Sequence, residues 1–336
     1  MTAKIKPRKG APYARILGVG GYRPTQVVPN EEILKHIDSS DEWIRSRSGI
    51  ATRHWAGPEE TVAAMSVEAG GKAIADAGIT PEQIGAVIVS TVSHFKQTPA
   101  IATEIAHLLG TGKPAAFDIS AGCAGFGYAL TLAKSLVVEG SAEHVLVIGV
   151  ERLSDLTDLK DRATAFLFGD GAGAVVVGPS QEPGIGPTVW GSEGDKSETI
   201  TQTLAWDVYR EAKADEVRFP AITQEGQAVF RWAVFEMAKV AQQALDEAGV
   251  AAEDLDVFIP HQANMRIIDS MIKTLKLPEH VAVARDVETT GNTSAASIPL
   301  AMERMLATGQ AKSGDTALVI GFGAGLVYAA SVVTLP

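Results

Sequence analysis

The stretch DAGITPEQIGAVIVS, residues 76–90, recurs in altered form as EAGVAAEDLDVFIPH at residues 247–261. In each copy a helical pattern ends at a glycine, and an acidic turn then leads into a short run rich in β-branched residues. This order is typical of a helix that feeds a buried strand. A second pair, HVLVIGV at 144–150 and TALVIGF at 316–322, repeats at almost the same offset. One such match occurs by chance in alternating α/β proteins, but two at nearly one offset indicate a duplicated α/β chain.

The bulk composition fits a packed globular protein. Of 336 residues, 46% are hydrophobic and 21% are charged, which is close to the average for folded domains. The length allows one large or two ordinary domains, and the duplication favours two halves, residues 1–180 and 181–336. A net charge of −11 argues against a nucleic-acid partner. No apolar run approaches the roughly 20 residues that cross a bilayer, so we expect a cytoplasmic protein without a membrane partner.

Cys123 is the only cysteine, in the stretch FDISAGCAGFGYAL. A lone cysteine excludes an internal disulfide, and the seven histidines show no metal-binding spacing, so no metal site is expected. The strand-like AAFDI (115–119) leads through small residues into a helical pattern, which places Cys123 at a helix N-terminus. Such a position lowers a thiol pKa and suits a nucleophile. A buried structural cysteine is the alternative, and it is the more common fate of a single cysteine.

Two polar residues of the second half could accompany this cysteine. Shifting Cys123 by the offset of the duplication leads to Ser294 or Ala295, two and three residues after Asn292, at another predicted helix start. His261 directly follows the apolar run VFIP and is expected at the C-terminal edge of a strand, where α/β proteins place their sites. On their own, a strand-end histidine is more often structural, and Gly-Asn before a helix is an ordinary turn and cap.

Three segments taken together resemble a known family. AGCAGF (121–126), HQANMRII (261–268) and GNTSAAS (291–297) are similar, in this order, to the Cys, His and Asn motifs of β-ketoacyl-acyl-carrier-protein synthase III, a condensing enzyme of the thiolase superfamily. The similarity extends over nearly the whole chain through SSDEWIRSRSGIATRHW (39–55), DRATAFLFGDGAGAVVVG (161–178) and GFGAGLVYA (321–329). The resemblance implies a thiolase-like α/β fold of two duplicated halves, stacked as five α-β-α-β-α layers.

The resemblance also implies an activity, the first condensation of type II fatty-acid synthesis. Cys123 would attack the thioester of an acyl-CoA, while the N–H groups of Cys123 and Ala324 bind the oxyanion. His261 and Asn292 would then donate hydrogen bonds to malonyl-acyl carrier protein and stabilise the enolate released by decarboxylation. His261 is interpreted as an electrostatic stabiliser more than as a general base for Cys123. No cofactor is implied, and the family is homodimeric.

Further residues resemble the family's recognition positions. Trp43 and Arg162 match a pair that sandwiches the CoA adenine, a task that suits an indole face and a planar guanidinium. The remaining matches are Arg47 for a CoA phosphate, Gly226, Phe230, Ala263 and Asn264 for the pantetheine tunnel, and Arg231, Arg266 and Lys273 for docking of the acidic carrier protein.

The chain departs from the family pattern at three positions. Thr98 stands where many relatives carry phenylalanine at the end of the acyl pocket, contributed across the dimer, so we expect branched or longer primers to be accepted beside acetyl-CoA. Ala324 replaces a frequent glycine, which is harmless only if that backbone has no positive φ. Gly122 stands where alanine is common, and the sequence offers no reason for it.

Other classes explain the sequence less well. Thiolases that transfer acetyl groups need a second cysteine, which is missing. Plant-type polyketide synthases and the priming ketosynthases of aromatic polyketide pathways share the Cys, His and Asn residues, and the latter are nearly indistinguishable by sequence. A dinucleotide oxidoreductase is disfavoured because LGVGGY (17–22) and GDGAGAVVVG (169–178) lack the GxGxxG spacing with a following acidic residue. A non-catalytic acyl-CoA-binding relative would not retain all three catalytic positions.

Overall fold

Strands and helices follow one another along the part of the chain that the structure describes. The computed structural model describes residues 4–212 and 217–336. The strands are β1 (Tyr13–Tyr22), β2 (Gln26–Pro29), β3 (Thr52–Trp55), β4 (Ile84–Ser90), β5 (Ala115–Ile119), β6 (His144–Arg152), β7 (Asp170–Ser180), β8 (Ile185–Ser192), β9 (Ile200–Gln202), β10 (Ile222–Gln224), β11 (Val257–Pro260), β12 (Ala282–Val283), β13 (Thr316–Gly323) and β14 (Val327–Thr334). The helices are α1 (Asn30–Ile33), α2 (Asp41–Ser48), α3 (Val62–Asp76), α4 (Ile101–Leu108), α5 (Gly125–Glu139), α6 (Trp206–Glu211), α7 (Gly226–Ala248), α8 (Met265–Leu275), α9 (Val287–Thr290) and α10 (Ser297–Ala307).

Two five-stranded sheets share one topology. The first has the order β1-β7-β6-β4-β5 and the second the order β8-β14-β13-β11-β12. In each sheet the last three strands of that order are parallel to one another, and the first two pair antiparallel. The two quoted repeats form β4 with β11 and β6 with β13, at equivalent places in the two sheets. The duplication inferred from the sequence is therefore confirmed.

The elements stack in five layers. Helices α5 and α10 lie between the sheets, where they share one apolar core with strands of both halves. Helices α3 and α4 cover the outer face of the first sheet, and α7 and α8 cover the outer face of the second. The predicted α-β-α-β-α arrangement is confirmed. The turns that precede the two central helices contact each other, so the N-termini of α5 and α10 lie close together.

A short 3-10 turn precedes each central helix, Gly122–Ala124 before α5 and Ser294–Ala296 before α10. The first residue of each turn has a φ of 47°, so Ser294 is the counterpart of Gly122. This backbone explains why glycine suits position 122, since side chains rarely adopt a positive φ. Ala324 is not among the described residues with positive φ, so its alanine needs no glycine-like backbone.

The two sheets follow the two halves of the chain. Strands of the first sheet lie within residues 13–180, and those of the second within 185–334. The division into domains 1–180 and 181–336 stays a prediction, because α5 and α10 share one core. Among the helices described, none combines the length and the apolar character that a bilayer crossing requires.

Candidate active site

One cavity of about 270 Å³ collects side chains from both halves. Cys123, His261 and Asn292 line it together with Ser294 and Ala324. Apolar side chains form most of the remaining wall: Val92, Leu153, Leu156, Phe168, Ile200, Ile222, Val229, Ile267 and Phe322. The structure therefore brings together the three residues that the sequence placed on separate segments.

Cys123 lies in the turn before α5, against the end of β13. A Cβ atom at Gly323 would stand 2.9 Å from the Cys123 sulfur, and one at Gly122 would stand 3.4 Å from the backbone nitrogen of Ala324. Glycine at position 323 thus lets the end of β13 approach the sulfur closely, and Gly122 packs against Ala324. Cys123 and Ala324 line the same cavity.

Burial opposes ionisation of the Cys123 thiol. Cys123 is only partly buried by surface area, but its sulfur lies deep in the protein, and this burial raises its pKa to about 12. The nearby Glu151 carboxylate also raises the pKa of Cys123, while a hydrogen bond from the Ser294 side chain lowers it. The expectation of a lowered thiol pKa was wrong, because desolvation is the largest influence on the pKa of Cys123 and raises it. The proton must therefore leave during the attack.

His261 follows β11 and is 2% exposed. Burial lowers the pKa of the His261 imidazole to about 3, so the ring is neutral at physiological pH. Its Nδ1 lies 2.7 Å from Ser297 Oγ, and that oxygen accepts the Gln262 N–H at 3.3 Å. Within the described residues, Nδ1 is the acceptor available to the Ser297 hydroxyl proton. This hydrogen bond assigns the ring proton to Nε2, which makes His261 a donor toward the cavity.

Asn292 is held by backbone and side chain alike. Its N–H donates to the Leu167 carbonyl at 2.8 Å, and its carbonyl accepts the Gly169 N–H at 3.0 Å. Its side-chain Oδ1 accepts the backbone N–H of Ser294 at 2.9 Å. Because the oxygen is already engaged, the NH₂ group of the amide is left to donate into the cavity. Two neutral donors, His261 and Asn292, thus line the same cavity.

A second cavity of about 630 Å³ collects the predicted CoA-binding residues. Asn292 and Ala263 line both cavities, so the two cavities are neighbours. Of the predicted residues, those that line it are Trp43, Arg47, Gly226, Phe230, Ala263, Asn264, Arg231 and Arg266.

The predicted adenine clamp is closed in this structure. The Arg162 guanidinium lies 5.0 Å from the centre of the Trp43 ring. A ring between them would need a separation of about 7 Å, twice the usual contact distance between carbon atoms. An adenine could therefore be sandwiched only after Arg162 moves away by about 2 Å.

The remaining predicted residues lie outside the cavities. Lys273 is exposed on α8, farther along the helix than Arg266, whose guanidinium lies 4.7 Å from the Phe230 ring centre. Thr98 is exposed and does not line the 270 Å³ cavity of its own chain.

Sequence reasoning missed two polar residues of the site. Ser297 ends the GNTSAAS motif but was not assigned a role, and Glu151 follows the apolar run HVLVIGV without being singled out. Glu151 could have been noticed from the sequence, because it is an acidic residue at the end of a predicted buried strand. An unpaired carboxylate is costly at such a position.

With this fold, and with a cysteine and two neutral donors in one cavity, the chain falls in the class of thiolase-fold condensing enzymes. Two family models match it, "3-Oxoacyl-[acyl-carrier-protein (ACP)] synthase III" over residues 117–194 and the C-terminal model of the same name over residues 245–335. The chain belongs to the β-ketoacyl-acyl-carrier-protein synthase III family.

Individual relatives agree with this assignment. The chain is 83% identical to β-ketoacyl-[acyl-carrier-protein] synthase III 1 of Streptomyces coelicolor, over 99% of this chain and 100% of the relative. It is 85% identical to the synthase III of Streptomyces glaucescens with the same coverage. Among solved structures, the priming β-ketosynthase of the R1128 polyketide pathway is 47% identical with a TM-score of 0.96 and 98% of each chain covered. The Aquifex aeolicus synthase III is 38% identical with a TM-score of 0.86, covering 96% of this chain and 99% of that one.

The family settles the class of reaction. The chain is an acyltransferase that catalyses the initiating condensation of fatty-acid synthesis. The identity to the two Streptomyces synthases, well above that to the polyketide ketosynthase, favours this function over the polyketide alternative.

Proposed function

We propose that the chain condenses an acyl-CoA primer with malonyl-acyl carrier protein, giving β-ketoacyl-acyl carrier protein, CoA and CO₂. The observation that carries this proposal is the shared cavity of Cys123, His261 and Asn292. A nucleophile and two neutral hydrogen-bond donors are the groups that acyl transfer and enolate formation require. Neither step transfers electrons, so the scheme needs no redox cofactor.

In the first half-reaction, Cys123 Sγ attacks the thioester carbonyl of the primer. The amides of Cys123 and Ala324 stabilise the oxyanion, and the CoA thiolate leaves to give an acyl-enzyme. Hydrogen-bond donors aimed at the oxyanion are the largest single contribution in such reactions. The close approach of the Gly323 backbone to the sulfur leaves the substrate to enter from the cavity side.

In the second half-reaction, the thioester oxygen of the malonyl group accepts hydrogen bonds from His261 Nε2–H and the Asn292 amide. The bond to the carboxylate breaks, CO₂ leaves and the negative charge collects on that oxygen. The enolate carbon then attacks the acyl carbonyl on Cys123, the bond from that carbon to the sulfur breaks, and the Cys123 thiolate leaves and takes up a proton as β-ketoacyl-acyl carrier protein is released. A neutral His261 suits this task, since the low pKa of its imidazole keeps it a hydrogen-bond donor without ionising it.

Replacing Ser297 with alanine should slow the decarboxylation step about fivefold. The change removes the hydrogen bond that holds His261 Nδ1, and a hydrogen bond of this kind contributes roughly 1 kcal/mol. The rate of CO₂ release from malonyl-acyl carrier protein without primer measures the effect. Ser297→Thr, which keeps the hydroxyl, serves as control. An equal loss in Cys123 acylation would contradict the assigned role.

The acyl pocket should accept isobutyryl-CoA at a rate within about tenfold of acetyl-CoA. Its wall is mostly apolar, and Thr98, if contributed by a second copy, is smaller than phenylalanine. Intact-protein mass after mixing with each CoA ester, followed by malonyl-acyl carrier protein, reports both acylation and discharge. Strict preference for acetyl-CoA would contradict the primer prediction, and no adduct with either ester would contradict the proposed function.

We further propose a cytoplasmic homodimer that binds carrier protein through Arg231, Arg266 and Lys273. Arg231 and Arg266 line the 630 Å³ cavity, and Lys273 lies on the same helix as Arg266. A local basic patch at this entrance would offset the repulsion expected between a chain of net charge −11 and an acidic partner.

The likeness to the R1128 priming β-ketosynthase supports a second candidate, the priming reaction of a polyketide pathway. The two differ in the carrier protein that delivers the malonyl group. Comparing turnover with carrier proteins of the two pathways separates them, because preference for the polyketide carrier would favour the second candidate.

A further inference from the structure

Two glutamines line the 270 Å³ cavity without a part in the proposed mechanism. The reacting groups are those of Cys123, His261 and Asn292, but Gln202 and Gln224 belong to the same lining. An amide group beside a mostly apolar wall is costly to bury unless it forms hydrogen bonds. Two polar side chains of the wall are thus left over once the bond-making steps are assigned.

Both glutamines lie on the two-stranded ribbon formed by β9 and β10. In this antiparallel pair Gln202 is opposite Ile222, and Gln224 is opposite Ile200. Residues directly opposite each other share a face of a sheet, and so do residues two apart on one strand. The four side chains therefore lie on one face, and all four residues line the cavity. The ribbon covers the cavity with a face that is half aliphatic and half amide.

Gln202 lies on the acyl side of this ribbon. Gln224 also lines the 630 Å³ cavity, whereas Gln202 is not part of the lining of that larger cavity. In the proposed first half-reaction CoA occupies the larger cavity, and the acyl group reaches Cys123 in the smaller one. The acyl chain, rather than CoA, is therefore the part of the substrate that can contact Gln202.

The amide nitrogen of Gln202 has no hydrogen-bond partner in the protein. Its Nε2 is buried, and no atom of residues 4–212 and 217–336 accepts a hydrogen bond from it. A buried donor without an acceptor costs free energy, so an acceptor on a bound acyl chain would be favoured here. A keto oxygen fits best, because it accepts hydrogen bonds without a proton that needs a partner of its own. A carboxylate would instead bring a charge into an apolar cavity.

We propose that Gln202 is a specificity-determining residue that favours primers with a keto oxygen in the acyl chain, an inference that rests on the proposed acyl transfer. The Gln202 NH₂ group donates a hydrogen bond to the keto oxygen while Cys123 Sγ attacks the thioester carbon. The bond from that carbon to the CoA sulfur breaks, and the acyl group replaces the thiol proton of Cys123. CoA is released as a thiol, and the keto group is unchanged.

The test compares two matched pairs of CoA esters on the full-length enzyme. They are 3-oxobutyryl-CoA with 3-methylbutyryl-CoA, and 4-oxopentanoyl-CoA with 4-methylpentanoyl-CoA, in which an oxygen replaces a methyl group of similar size. Intact-protein mass over time gives kcat/KM for acylation by each ester. In Gln202→Met, which has a similar length but no amide, the ratio of keto to methyl ester should fall about tenfold from the wild-type ratio in at least one pair. This is toward the lower end of the cost of an unsatisfied buried polar group.

The change in ratio is independent of the intrinsic reactivity of the esters, because wild type and variant receive the same pair. Gln202→Leu is a second apolar variant, and it should show the same fall if Gln202→Met does not fold. The matched control is Ile222→Leu, which changes the shape of the wall opposite Gln202 but no polar group, so its ratios should equal those of the wild type.

Two results would overturn the proposal. If the apolar variants of Gln202 keep the wild-type ratio in both pairs, the amide does not select the primer. If Ile222→Leu lowers a ratio as much as they do, the shape of the ribbon determines the preference instead. Absence of an adduct in the wild type with every ester, acetyl-CoA included, would refute the proposed acyl transfer itself.

Discussion

Replacing Cys123 with alanine will abolish the acyl-enzyme and reduce condensation by at least about 10⁴-fold. The reason is that Cys123 is the only cysteine of the chain, and removing a covalent nucleophile costs about 10⁶ in kcat in a well-studied protease. Intact-protein mass after mixing with acetyl-CoA should show an adduct of one acetyl group in the wild type and none in the variant.

The same variant separates the two half-reactions. His261 and Asn292 are held by Ser297, Ser294 and backbone groups, none of which depends on the sulfur. Release of CO₂ from malonyl-acyl carrier protein should therefore continue in Cys123→Ala. An acyl adduct on another residue of the variant would show that Cys123 is not the nucleophile.

Replacing His261 or Asn292 with alanine will slow decarboxylation but leave acylation of Cys123 intact, the reverse of the effect of Cys123→Ala. Each change removes one of two donors to the developing enolate, and the loss of such a donor costs about 10²–10³ in rate. Release of CO₂ should fall by this factor, while the acetyl adduct on Cys123 still forms. Loss of the adduct in both variants would instead identify the pair as necessary for the nucleophile.

The pH dependence of CO₂ release provides a further check on His261. Burial lowers the pKa of the imidazole to about 3, so the neutral donor form prevails at every pH well above that value. Decarboxylation by the wild type should show no decline attributable to His261 between pH 5 and 8. A decline with a midpoint near 6.5, the value of an unperturbed histidine, would mean that the ring is more solvated than the structure shows.

Local patterns in the sequence predicted the duplicated α/β elements, whereas the five-layer stacking was predicted from the resemblance to a family. The two repeats at 76–90 and 247–261 predicted a helix and a buried strand in each half, and the strands occupy equivalent places in the two sheets. The positions of Cys123 before a helix and of His261 after a strand were predicted from the same kind of pattern. These features depend on residues near in sequence, whose apolar spacing determines the element they form.

The electrostatics of the site could not be predicted in this way. The thiol pKa of Cys123 rises because residues from both halves remove the sulfur from water, and no local pattern reports that desolvation. The partnership of His261 with Ser297 joins segments distant in sequence. Gly122 had no explanation until its positive φ was seen.

The equivalent turns at Gly122 and Ser294 show what a duplicated chain can do that an assembly of two identical copies cannot. Both turns have the same backbone bend and both precede a helix of the central layer. Because the two turns are encoded separately, the first has glycine, without a side chain, next to Cys123, whereas the second has serine, with a hydroxyl group. A symmetric pair of identical subunits would have to use one residue for both purposes. Because the two halves are part of one chain, equivalent positions near their pseudo-symmetry axis can carry different residues with different roles.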